Sequence, residues 1–299
     1  MLSGCTDETS STITGDKAFI GGKVGLTMEF LSGAPPEEVF DSNNPFSIDI
    51  KLENEGEWGV NMNDTTIKIT GIYPSDFGLL TSEDLIKHPD EDMTAAQRDP
   101  QGNTIQGTIT DIEFEGLEYN REIAGFVQFN IKAENCFEYG TTAQSQLCIK
   151  EDLLGKTGEE GTCDPNGEKT MDNSGAPIHV TKLSESVAGK DKISFVFNVE
   201  HIGDGKVYKM DTSCSTDFND RNKVFITVND PGIGALSCSG LEGGSTSGYA
   251  TLFDDERSIR CTINLDEASL GDYEKVLNVV IEYGYKESIE TPLIVKHSE

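Results

Sequence analysis

Beyond Phe19 the chain alternates apolar and polar residues with period two. The runs "VGLTMEFL" (24–31), "FSIDIKLEN" (46–54), "TIKITGI" (66–72), "TITDIEFEGLEY" (108–119), "AGFVQFNIKAEN" (124–135) and "SQLCIKED" (145–152) each put their apolar side chains on one face. That alternation is the mark of half-buried antiparallel strands. A second set follows, with "PIHVTKL" (177–183), "KISFVFNVEH" (192–201), "KVFITVND" (223–230), "SIRCTINL" (258–265), "KVLNVVIEYGY" (275–285) and "ETPLIVKH" (290–297). Gly, Pro and Asn clusters separate the runs. Short strands at regular spacing predict an all-β chain built from β-sandwiches.

The two sets resemble each other. "FSIDIKLENEGEW" aligns with "ISFVFNVEHIGDG" at an offset of 147 residues, from Phe46 to Ile193. "NIKAENCFEYGTTAQSQLCIK" aligns with "NVVIEYGYKESIETPLIVK" at an offset of 144, from Tyr139 to Tyr283. In both, a strand ends in Glu-Tyr-Gly and a polar stretch leads to a returning strand, which predicts a hairpin turning near Thr142 and another near Lys286. Near-equal offsets imply one unit written twice. The expected architecture is two tandem immunoglobulin-like sandwiches of about seven strands each. Residues 1–19 form a lipobox-like start and a flexible polar arm. Residues 20–151 form the first sandwich, 152–174 a Cys-containing connector and 175–299 the second sandwich. The first carries an inserted loop, 73–101. In it, Thr81 or Ser82 can cap a short helix through Ile86, and Phe77, Leu79, Leu80, Leu85 and Ile86 are apolar enough to cap the sandwich end.

The stretch "GLTMEFLSGAPPEEVFDSNNPFSIDIKLENEGE" and the segment "VTKL…ISFVFNVEHIGDGKVY" resemble bacterial and archaeal surface lipoproteins with tandem immunoglobulin-like domains of the cell-adhesion-related (CARDB-like) kind. Asn54-Glu55-Gly56 fits that pattern, and His201-Ile202-Gly203 departs from it at the Asn. The resemblance implies extracellular placement and a sandwich fold. It implies no reaction.

Composition sharpens this. Against 23 basic residues the 299-residue chain sets 53 acidic ones, a net charge of -30. Such a chain repels nucleic acid and anionic lipid headgroups, and it can attract divalent cations or basic partners. There are seven cysteines. Leu2-Ser3-Gly4-Cys5 looks like a lipoprotein cleavage box that would leave Cys5 as the lipid attachment site. Two readings of its position stay open: Met1 is an internal methionine of a longer precursor, or the box is chance. Without Cys5, six cysteines remain for three disulfides and an oxidising compartment. The expected pairs are Cys136–Cys148 across the first hairpin, Cys238–Cys261 around "GLEGGSTSG", and Cys163–Cys214 from what is left.

Catalytic motifs are missing from the sequence: it holds no GxSxG, HExxH or P-loop, and His179 and His201 read as structural. With 53 acidic residues, chance carboxylate pairs are common and none singles out a glycosidase. The chain is therefore expected not to be an enzyme. Calcium is the one cofactor suggested, through Asp211, Asp217, Asn219 and Asp220 in "DTSCSTDFNDRNK". Asn63-Asp64-Thr65 is a glycosylation sequon. The expected function is structural or adhesive at the cell surface, with copies or neighbouring surface proteins as partners. Self-assembly into a filament or layer would proceed by strand addition of the N-terminal arm. The alternative is a monomeric surface module that captures a ligand, sugar or divalent cation.

Overall fold

The computed structural model describes residues 18–41, 44–155, 162–215, 217–269 and 271–298. It is all-β. The first half contains β1 (Leu26–Phe30), β2 (Glu38–Phe40), β3 (Phe46–Asn54), β4 (Thr65–Thr70), the short β5 (Ile86–Lys87), β6 (Gln97–Arg98) and β7 (Thr104–Ile105), β8 (Ile109–Leu117) and β9 (Phe126–Ile149). The second contains β10 (Gly167–Lys169), β11 (Asp172–Asn173), β12 (Ile178–Gly189), β13 (Lys192–His201), β14 (Lys206–Tyr208), β15 (Lys223–Asn229), β16 (Gly234–Ser239), β17 (Ser247–Thr251), β18 (Glu256–Leu265) and β19 (Tyr273–Lys296).

The repeat is visible in the strand register. In the sheet β1-β3-β8, Leu26 faces Asn54 and Glu53 faces Ile109. In the sheet β10-β12-β13-β18-β16, Ile178 faces His201 and Glu200 faces Glu256. The third sheet, β17-β15-β19-β9-β4-β5, belongs to both halves. Its centre is an antiparallel ladder in which all 24 residues of β9 face all 24 of β19, from Phe126 against Lys296 to Ile149 against Tyr273. At ~3.3 Å per residue such a ladder is roughly 80 Å long. Each strand begins in its own half and ends in the other. β9 pairs with β4 at one end and with β11 towards the other, and β19 pairs with β15 and then with β2.

The halves are therefore not two separately closed sandwiches, and the hairpins expected near Thr142 and Lys286 do not form. The strands run straight through both points. Gly140, read as the start of a turn, is there for close approach instead. A Cβ on it would lie 2.6 Å from ring carbons of Trp58. The polar residues beyond it are paired rather than solvated: the Thr141 hydroxyl donates to Ile178 O at 2.6 Å, the Thr142 N–H donates to Ser174 Oγ at 2.9 Å and the Ser145 hydroxyl donates to Thr170 O at 2.8 Å.

At the middle of the ladder Phe137, Tyr139, Tyr283 and Tyr285 form a buried aromatic cluster with centroid separations of 5.7 to 6.5 Å. Such pairs add to the burial of their area. Each half grips one tyrosine by its hydroxyl. Tyr139 donates to Asn54 Oδ1 at 3.1 Å and passes so close to Gly56 that a Cβ there would overlap its hydroxyl. Tyr285 lies 3.0 Å from His201 Nε2, accepts the Gly205 N–H at 2.8 Å and meets Gly203 in the same way. Tyr285, not Tyr283, is thus the counterpart of Tyr139, and the sequence alignment at Glu-Tyr-Gly is two residues out. The far end of β19 is tied down by Asp41, which is buried and accepts from Ile123 N, Ser298 N and the Ser298 hydroxyl beside His297.

The disulfides follow from the uninterrupted ladder. With no hairpin, Cys136 and Cys148 lie twelve positions apart on one strand and cannot meet. The bonds are Cys136–Cys214, Cys148–Cys163 and Cys238–Cys261. The expected pairs Cys136–Cys148 and Cys163–Cys214 are thereby corrected, and Cys238–Cys261 is the expected pair that is present. The insertion 73–101 covers the end of the first half. Phe77 packs between Phe46, Tyr119 and Phe129, and Leu85 and Met93 are buried. Its short helix is a 3-10 turn, Ser82–Leu85, capped by Thr81 and Asp84.

Two outcomes are expected. Gly140→Ala should destabilise the protein by about 1–3 kcal/mol through overpacking on Trp58, measured by urea unfolding. Peptide mapping without reductant should recover 136–214, 148–163 and 238–261, and recovery of a 136–148 peptide would contradict the through-running ladder.

Candidate functional site

Along β9 the inward row from Ile131 to Ile149 is buried without a break. Along β19 the corresponding row, Leu277 to Tyr285, is interrupted before it resumes at Leu293: Glu287, Ile289 and Thr291 are half-exposed. The gap coincides with a free edge. β14 stops at Lys286 and β2 starts at Ile294, so among the described residues 287–293 pair with β9 alone. In the facing sheet, among the described residues, β1 pairs only with β3. Between the two edges lies an open mouth of about 350 Å³, within the size range of ligand clefts.

The walls are charged. Val24 and Thr27 line one side, and Glu287, Ser288 and Ile289 the other. Glu134 sits between Lys132 at 3.1 Å and Lys286 at 2.9 Å, and Lys23 lies 3.7 Å from Asp204. Burial raises the Glu134 carboxyl, but hydrogen bonds from Lys286 and Lys132 bring it below its ordinary value. Glu287 has no such cation. Burial first, and the negative Asp204 and Glu55 second, push its carboxyl up to about 7. Directly across the ladder is Asn135, fully buried with neither side-chain atom hydrogen-bonded. A charge at an inward position after Leu277, Val279, Ile281, Tyr283 and Tyr285 was the sequence signal for this mouth. The expected turn at Lys286 concealed it.

The residues singled out from sequence lie elsewhere. Asp211 donates its N–H to Glu138 Oε1 at 2.6 Å. Asp217 accepts from Asn219 N at 2.9 Å and so caps a 3-10 turn that includes Asn219 and Asp220. Among the described residues no group of three or more His, Cys, Asp or Glu side chains is gathered as a metal would need. Asn63 is exposed in a 3-10 turn, with Thr65 of its sequon buried. Cys5 and most of the N-terminal arm lie outside the described residues. Residues 18–25 run back along the molecule's own junction. Glu57 accepts the N–H groups of Ile20, Gly21 and Gly175, at 2.7 to 2.9 Å, and Gly22 O accepts from Ala176.

No family model matches the chain, and no curated protein does. Among solved structures the chain is similar to the secreted serine protease VesC from Vibrio cholerae, at 11% identity over 87% of this chain and 50% of that one, with a TM-score of 0.18. The chain thus spans half the length of that protein. A superposition this loose carries no argument about fold or activity.

Two carboxyls raised by burial set the expected pH response. Glu185, on β12, is also pushed up to about 7 by burial, although it accepts from Cys148 N and pairs with Lys169. Both groups take up their protons at higher pH in the folded chain than in the unfolded one. Their contribution is complete below about pH 4.3 and is lost as pH rises through about 7. Asp41 acts oppositely. Held below its ordinary value by His297, Ser298 and Ile123, it contributes above about pH 3.9 and loses that contribution as pH falls further. Tm should therefore rise as pH is lowered from about 8 to 5. Glu287→Gln should raise Tm at pH 8 and make the slope shallower, and an unchanged profile would contradict the burial of that carboxyl.

Proposed function

We propose that this chain is a non-enzymatic extracellular structural protein: a stiff spacer, lipid-anchored at Cys5, that assembles with copies of itself into a filament or surface layer. The carrying observation is the 24-residue ladder shared by both halves. A hinge between the halves would have to break that ladder and the aromatic cluster at its centre. Three disulfides suit an oxidising, extracellular-type environment. No helix of the described residues is long and apolar enough to cross a membrane. The open mouth supports a second reading, a monomeric surface module that takes a small charged or sugar ligand into the cleft.

Small-angle scattering at low salt, where repulsion keeps the copies apart, should give a maximum dimension of at least roughly 80 Å. A distribution typical of two jointed bodies would overturn the spacer. Electron microscopy should show assemblies that grow more abundant as salt rises, because copies of net charge -30 repel each other until screened. A monodisperse monomer at every salt and concentration, with saturable binding of a small ligand, would favour the second reading.

A further inference from the structure

The free edge of β19 has a counterpart on β9, and that counterpart is filled. In the second half Asp172 and Asn173 pair with Gln144 and Ala143. The Ser174 N–H continues the contact to Thr142 O at 2.9 Å. Met171, next to them, packs against the core. Under this short segment Thr141 and Ala143 are 0% exposed and Ser145 5%. With Tyr139 matched to Tyr285, these three positions correspond to Glu287, Ile289 and Thr291. Among the described residues no strand pairs with β19 over those three on the side away from β9, and they stay half-exposed. Among the described residues, the mouth is therefore the place where one half lacks the strand that closes the other.

The edge is prepared for backbone pairing. Ile294 donates its N–H to Glu37 O, away from β9. In an antiparallel pair alternate residues turn their backbone groups the same way. Ser288 and Glu290 thus point N–H and C=O outward, and position 292 is proline, which has no N–H to lose there. The chain's own start leads away from this edge. Lys23 and Val24 line the mouth. Further towards the N-terminus Gly22 binds Ala176, and Ala18 lies beside Gln144, Ser145 and Gln146 on the other strand's edge.

The geometry points to a strand-docking slot: the edge of β19 at 288–292 takes up, as an added strand, the Thr12-Ile13-Thr14 segment of a second copy of this chain. That segment has the polar-apolar-polar order of Thr170-Met171-Asp172, with Ile13 in the role of Met171. Thr14 stands four residues before Ala18, the first described residue, a reach of up to about 14 Å. The occupant's backbone meets the outward groups of Ser288 and Glu290, and Ile13, in the register of Met171, covers Thr291 between the sheets. This inference rests on the self-assembly reading and names the acceptor it requires.

The test uses full-length chains. Ile13→Asp spoils the donor. Ser288→Pro removes an outward N–H without touching the pairing to β9, as Pro292 already does, and Glu290→Pro is a second variant of the same design should the first fail to fold. By light scattering after size-exclusion chromatography, wild type assembles, each variant alone stays monomeric, and an equal mixture of Ile13→Asp and Ser288→Pro gives dimers and nothing larger. Each variant retains the half that the other lacks. A synthetic peptide of residues 6–18 should bind Ile13→Asp and bind the double variant Ile13→Asp/Ser288→Pro at least tenfold more weakly. Undiminished assembly of either variant, or a mixture that remains monomeric while wild type assembles, overturns the slot and leaves self-assembly standing. If wild type stays monomeric, the self-assembly reading falls, while peptide binding that Ser288→Pro abolishes keeps the slot. Absence of peptide binding overturns the slot whatever wild type does.

Discussion

Everything else in this fold depends on one hydrogen-bonded ladder. β9 and β19 remain in register over 24 residues, and each supplies inward side chains to a core that the other half has begun. A ladder strand can serve two cores because its side chains alternate with period two wherever it lies, so the same repeat of apolar positions suits either facing sheet. The requirement is local at the crossing, where the facing sheets change over and the backbone passes between them. The aromatic cluster and the glycines beneath it meet that requirement. Tyr139 and Tyr285 carry their hydroxyls to opposite halves, and Gly56 and Gly203 give them room.

Much of this was legible in the sequence, because burial on one face imposes alternation and alternation survives without knowledge of partners. β1, β3, β8, β13 and β15 fall within the runs read as strands, β4, β12 and β18 overlap them, and the repeat was visible from Phe46 and Ile193. The crossing was not legible. Gly140 followed by Thr141 and Thr142 has the composition of a turn, and only the presence of Trp58 against Gly140 shows that the residue is glycine for clearance. The disulfide errors descend from the same misreading. A turn would have brought Cys136 to Cys148, whereas a straight strand carries them apart, one to the loop at Cys214 and the other to the connector at Cys163.

The mouth shows how repetition can leave an asymmetry with physical consequences. The two halves share their pairing registers, yet the segment before β12 closes its sandwich, and the segment before β1 is drawn off by Glu57 to the junction. The result is a row of inward positions that is sealed in one half and half-open in the other. Glu287, raised by burial, stands where the sealed half has a threonine. The acidic loop singled out from sequence contains turns capped by their own side chains, as Asp217 caps the turn with Asn219 and Asp220.

The clamp of Asp41 on residues 297 and 298 has a bearing on biosynthesis. It joins Asp41, near the start of the first half, to His297 and Ser298 just beyond β19, and β19 is made after every other described strand. The first half therefore cannot complete its sheet before β19 is made. Long-range pairing of this kind is slow to form and leaves edges uncovered in the interim. A sheet shared in this way cannot close until β19 has joined β9, so the first half reaches its native form only together with the second.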